Sequence, residues 1–232
     1  MLLCFAVCSC WGHARTGYSQ EYDGNRILLT TIQPPDRSAT NAARFGLTRN
    51  DFAALTQQLT AVRYVVPVRE VQRDARVSNR VRTIQLLGTH PEYASVHRLK
   101  TIRGRFLNAA DVKRARNVVV LGSRLAARLF PGEDPIGRNV RVDRNYYLVL
   151  GIVDTSEPLA YIPLTTMKGR MGDRDITRSV GQFEIRHFEL SRIEIIPQDA
   201  ADTPQLTEIA TQILQALHED DGSFRLSVSQ HE

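Results

Sequence analysis

Residues 117–153 read NVVVLGSRLAARLFPGEDPIGRNVRVDRNYYLVLGIV, and the order of local structure in them decides how the rest of the chain is read. The run 117–121 is short, continuous and valine-rich, which suits a strand buried on both faces, and Gly122 ends it. Ser123 is expected to cap a short helix whose Leu125, Leu129 and Phe130 share a face, with Pro131-Gly132 as its stop. In 138–143, Val140 and Val142 alternate with polar residues. Asp143 to Asn145 supplies turn chemistry, and 146–153 returns as a second strand.

Working outward, Leu87-Gly88-Thr89-His90-Pro91-Glu92-Tyr93 precedes this stretch as a strand end, and Arg103-Gly104-Arg105-Phe106-Leu107 with Asp111 follows. Together with VVVLG, LAARLFPGEDPIGRNVRV and YYLVLGIV, these segments resemble, in order, the periplasmic core domain of MacB-type ABC transporter permeases. The resemblance is specific over 88–153 and looser from 24 onward and through Tyr161-Ile162-Pro163-Leu164 to the C-terminus. It implies a porter-like α+β subdomain interrupted by a β-rich one. It also implies a non-enzymatic domain that couples ATP-driven motion of the membrane part to events outside, engaging permease or ATPase subunits and an adaptor or carrier protein.

The elements read from the residues fit that layout. A strand is expected at 26–32, a loop at 34–41, and a helix opened by Thr48 with Asp51 three residues on and lined by Phe52, Leu55, Leu59 and Val62. Strands are expected at 64–71 and 80–87, separated by the polar segment 73–79. At the far end come a strand at 192–196, a helix from Thr203-Pro204 along Leu206, Ile209, Ile213, Leu214 and Leu217, a stop at Asp220-Asp221-Gly222, and a strand at 224–228. Each terminal half alone would leave an apolar sheet face in water. The expected fold is therefore α+β and two-lobed. Residues 24–88 plus 188–229 form a discontinuous α/β sandwich with helices on one face of a largely antiparallel sheet, 89–187 form an inserted β-rich subdomain, and 1–23 form an apolar N-terminal segment and linker. Segments 154–160 and 167–181 read as loops on the inserted lobe.

The chain has 232 residues, 42% hydrophobic and 24% charged, enough for a substantial core. Its net charge of +5 is almost all arginine, with lysine only at Lys100, Lys113 and Lys168. Acidic residues are interleaved, as in Arg69-Glu70-Val71-Gln72-Arg73-Asp74, so 63–82 reads as a solvated sheet face rather than a phosphate-tracking stripe, and no nucleic acid is expected. Cysteine occurs only at Cys4, Cys8 and Cys10, so disulfides cannot hold the body of the fold. The apolar segment 1–11 is shorter than the ~20 residues a membrane span needs. It reads first as a transmembrane remnant, then as a signal or lipid-attachment segment, and last as incidental sequence; no other span suits a bilayer, and no ATPase domain is present, which puts transport by this chain alone in doubt.

Chemical motifs fare poorly. Gly132 to Gly137 has P-loop glycine spacing, but Arg138 and Asn139 stand where lysine and Ser/Thr are needed and a strand follows, so it reads as a tight loop. Gly122-Ser123 lacks the second glycine of a nucleophile elbow. Histidines 90, 97, 187 and 218 show no zinc spacing, and His218 reads as a cation at a helix C-terminus. The acidic pairs Glu133/Asp134 and Asp220/Asp221 sit in turns. No cofactor, metal or catalytic residue is expected. The one candidate surface is Arg103, Arg105, Lys113, Arg114 and Arg116, a contact for a partner protein or acidic ligand, with Phe106 and Leu107 as core anchors. The reading is an extracytoplasmic, periplasmic-side domain acting through protein contacts; the alternative is a free or lipid-anchored periplasmic binding protein carrying a small molecule or lipid between its lobes.

Overall fold

The computed structural model describes residues 25–32, 45–179, 182–218 and 223–229. The readings of 1–23, the loop at 34–41 and the stop at 220–222 lie outside them.

Four strands build the first sheet. β1 (Arg26–Thr31) pairs antiparallel with both β12 (Phe224–Ser229) and β11 (Arg192–Pro197), and β11 pairs with the first half of β2 (Val62–Val77). Ile27, Leu29, Ile193 and Ile195 face one way, and α1 (Arg49–Gln58) and α6 (Thr203–Leu217) cover them through Leu55, Leu206, Ala210, Ile213 and Leu214. α1 starts where Thr48 and Asp51 predict it, with both reciprocal bonds of a capping box. α6 begins at Thr203 with Pro204 in its first turn, where a missing N–H costs nothing.

β2 does not stop at Val71. Up to Val68 its partners lie on β11; from Arg69 to Val77 they lie on β3 (Arg80–Thr89). The expected break at 73–79 is corrected to a hairpin, because strand alternation carries Ala75 to the core and Ser78, at φ 51°, makes the turn with Asn79.

From β3 the pairing passes in parallel to β8 (Leu159–Pro163), then to β5 (Val118–Gly122), β7 (Asn145–Val153) and β6 (Asn139–Val142). β6 pairs back onto β2 at Ala75 and Arg76. Six strands thus close a ring. Alternation fills its interior with Val71, Ala75, Ile84, Leu86, Val119, Leu121, Val140, Val142, Tyr147, Val149, Ala160 and Ile162. β4 (Thr101–Gly104) adds to the outer part of β7.

Two expected loops are partly ordered. β8 takes up the end of 154–160. The segment 167–181 contains most of α5 (Leu164–Met171), whose Leu164 and Met167 are buried one turn apart, and then β9 (Arg174–Ser179), which among the described residues pairs only with β10 (Gln182–His187). α4 (Ser123–Leu129) forms as expected, but Ser123 is not its cap. Gly122 takes the cap position, and the Ser123 hydroxyl donates to the Thr155 carbonyl at 2.9 Å.

A third core cluster joins the two sheets. Val66, Val68 and Ile196 on the open face of the first sheet meet Leu87, Val118, Val120, Leu159 and Tyr161 on the outside of the ring, with Tyr93 and Val96 of α2 (Glu92–Val96) between them.

Candidate functional site

The basic group of the inserted segment is organised by Asp111. This residue is the third of α3 (Ala109–Lys113), and Asn108 caps that helix: the Asp111 N–H donates to Asn108 Oδ1 and the Asn108 N–H to Asp111 Oδ2, both at 3.0 Å. Asp111 is fully buried, and its remaining acceptor capacity goes to Arg105, at 2.6 and 3.2 Å, and to Arg116 at 3.0 Å. Burial works to raise its carboxyl pKa. The Arg105 hydrogen bond, the Asn108 N–H and the charges of both arginines outweigh that and hold it below the ordinary range.

The neighbouring residues are architectural. Gly104 has φ 68°, and a Cβ there would stand 2.1 Å from the Leu150 carbonyl oxygen; only glycine permits the bulged approach of β4 to β7. Phe106 packs edge-on to Tyr161 at 5.5 Å between centroids, and Leu107 is buried in the joining cluster. Of the five candidate contact residues, therefore, Arg105 and Arg116 are committed to Asp111, and Arg103 reaches Asp134 at 2.6 Å in an exposed pair. Lys113 and Arg114 are exposed at the end of α3, with no side-chain ion pair among the described residues.

A second constellation escapes sequence reasoning. On the face of β11 away from the helices, Arg192 Nε donates to Glu194 Oε1 at 2.7 Å and Arg192 Nη1 to Glu70 Oε2 at 2.9 Å. His97 Nε2 lies 2.8 Å from Glu194 Oε2, and Arg26 approaches the same oxygen at 3.5 Å. The His97 ring stacks on Tyr93 at 4.0 Å. Burial works to raise the Glu194 carboxyl, but the His97 contact and the Arg192 guanidinium bring it down to about 2; Arg192 moves upward in turn. The only sequence signal is a glutamate inside the strand RIEIIP. Arg192 stands two residues before it, but His97, Glu70 and Arg26 lie too far off in the chain to be guessed.

A third ionic group ties α1 to the end of α5. Arg49 binds Asp173 and, at 2.8 Å, Glu189, while the buried Arg69 donates to the Gly172 carbonyl. His218 does more than sit at the end of α6: its Nε2 is 2.8 Å from Asp51 of α1. Among the described residues, no three His, Cys, Asp or Glu side chains gather as a metal set, and none of the described helices is long and apolar enough to cross a membrane. Gly132 and Gly137 both have positive φ in the loop between α4 and β6, which runs from helix to strand, the reverse of a phosphate loop. What these arrangements do chemically is hold elements together by charge.

A family model described as MacB-like periplasmic core domain matches residues 2–213. The macrolide export ATP-binding/permease protein MacB of Marinobacter nauticus is 25% identical over 174 residues, covering 69% of this chain. The chain spans 27% of that relative's length. Among solved structures, the periplasmic region of MacB from Actinobacillus actinomycetemcomitans aligns with TM-score 0.69 at 21% identity over 87% of each chain. The extracellular domain of the noncanonic ABC-type transporter YknZ from Gram-positive bacteria aligns with TM-score 0.69 at 19% identity, over 87% of this chain and 99% of that one.

Proposed function

The chain belongs to the family of MacB-like periplasmic core domains, and from that premise we propose that it is the non-catalytic, extracytoplasmic coupling element of a MacB-type ABC transporter permease. The observation that carries this reading is β2. One unbroken strand is hydrogen-bonded to the first sheet up to Val68 and to the closed ring from Arg69, so displacement of one sheet moves the other without a hinge in between. The joining cluster and the Arg192–Glu194–His97 group stiffen the same junction. Division of labour follows 24–88 plus 188–229 as the membrane-side porter and 89–187 as the outward part, with β2 and β3 shared in pairing between them. Exposed Lys113 and Arg114, together with the exposed Arg103 that pairs with Asp134, supply the contact for an adaptor or carrier protein with acidic side chains.

Fractionation of cells expressing the tagged chain from its own locus tests this. Recovery with membranes, protection from a protease confined to the cytoplasm, and co-purification of an ABC-type ATPase or permease subunit are expected. Recovery in the cytoplasmic fraction would reject the extracytoplasmic role. The coupling claim has its own readout: a double substitution that breaks the third cluster, Val66→Ala with Val120→Ala, should leave membrane recovery intact and abolish transport-dependent growth.

A further inference from the structure

We propose that the outer face of the ring at its closing seam, Arg76, Arg141 and Tyr146, is a docking surface for a protein that presents an Asp or Glu carboxylate beside an apolar side chain. The seam between β2 and β6 has only two pairs of Cα partners, Ala75 with Val142 and Arg76 with Arg141. The first pair points into the core and is fully buried. The second points out, setting two guanidinium side chains on directly opposed residues about 5 Å apart at their Cα atoms. Like charges so placed work against the pairing that closes the ring. Neither arginine has an ion pair or side-chain hydrogen bond among the described residues.

The nearby carboxylates are engaged elsewhere. Asp74, on the same face, accepts the Thr83 hydroxyl at 2.9 Å, and Asp143 pairs with Arg73 at 3.0 Å. In the same cross-strand row, Arg141 is the partner of Tyr146, which is 62% exposed, the highest among the large hydrophobic residues described as exposed. Two adjacent forks offer bidentate seats to one carboxylate, and arginine with tyrosine is the pairing most enriched at the energetic centres of protein interfaces. A free phosphate or a lipid headgroup would use the cations and leave the ring in water; a protein side chain uses both. This surface is separate from the Arg103, Lys113 and Arg114 group and does not depend on the function proposed above.

The test is residue-resolved NMR titration of the isotopically labelled chain with three probes: a synthetic peptide alternating glutamate and leucine, inorganic phosphate, and phosphatidylglycerol vesicles. Saturable shifts at Arg76, Arg141 and Tyr146 are expected with the peptide alone. Arg141→Glu should weaken the peptide by about tenfold and yet raise the melting temperature, since the new carboxylate faces Arg76. Arg76→Gln, which adds no charge and no bulk, should weaken it with a smaller gain in melting temperature, because it removes the repulsion and adds no attraction, and it serves if the reversal fails to fold. Equal or stronger shifts from phosphate or vesicles overturn the protein reading. Shifts confined to Lys100, Lys113 or Arg114, no saturable shift, or unchanged affinity in both variants overturn the site.

Discussion

His97 Nε2 and Glu194 Oε2 are 2.8 Å apart, with the two residues 6% and 1% exposed, and the contact joins the end of α2 to β11 across the junction of the two sheets. Removing one member of such a group leaves its direct partners buried with less compensating charge. Glu194→Ala should cost about 3 kcal/mol, because Arg192 and His97 lose their shared carboxylate at once, whereas His97→Ala should cost about 1–2 kcal/mol, since Arg192 still pairs with Glu194. Denaturant unfolding at neutral pH distinguishes the two. The carboxyl pKa falls from an ordinary value near 4.5 to about 2 in the fold, so its contribution is present above pH about 4.5 and is lost as pH falls toward 2. Glu194→Gln should therefore flatten the acid limb of the stability curve across that window; an unchanged limb would mean that the pair is not formed in solution.

Asp111 separates the arginines that fold the chain from the cations free to bind. Asp111→Ala removes an N-terminal cap bond and strands Arg105 and Arg116 together, for a loss of about 2–3 kcal/mol. Lys113→Ala and Arg114→Ala should leave stability within about 0.5 kcal/mol. Thermal unfolding of the three variants checks this, and a destabilised Arg114 variant would show a structural tie that the fold does not display. Because Asp111 is held below its usual range, its contribution is likewise present above the unfolded carboxylate pKa and lost on acidification.

Gly104→Ala should be among the most damaging single-methyl additions in the chain. The backbone there is at φ 68°, and the new carbon would meet backbone, the Leu150 carbonyl, rather than a side chain that can swing away. A loss of about 2 kcal/mol or more is expected, against at most about 1 kcal/mol for Ala109→Gly at the exposed start of α3, where helix propensity is the only term.

How much of this was legible in the sequence depends on how local each interaction is. Thr48 and Asp51 are three residues apart, and their cap was read correctly. The ring strands of 117–153 were read as strands because valine-rich runs and alternation are local patterns as well. Arg105 and Arg116 were assigned to a surface because charge and loop context are all that a sequence displays; their pairing with Asp111 needs the turn made by α3. The His97–Glu194 contact, 97 residues apart, leaves no local trace. The continuation of β2 past Arg73 was missed because charged residues on its open face mimic a loop, and α5 was missed because one buried turn, Leu164 with Met167, is too short a periodic signal.

Tyr147 gives the last prediction, and it runs toward greater stability. Its ring is fully buried inside the closed ring of strands, and its hydroxyl is buried with no hydrogen-bond partner among the described residues. A polar group in that position carries its desolvation cost without return. Tyr147→Phe keeps the shape and removes the oxygen, so it should be neutral or stabilise by up to about 1 kcal/mol at pH 7. The pH dependence is a second check. Burial, with the charge of Asp143, pushes the phenol up to about 12. Between the unfolded value near 10 and that figure, the unfolded chain gives up its proton while the folded one keeps it, so stability falls as pH rises. The phenylalanine variant should lose less stability than the parent above pH about 10. A variant weaker than the parent at pH 7 would show that the hydroxyl has a bonding partner after all, and a buried water would be the first to look for.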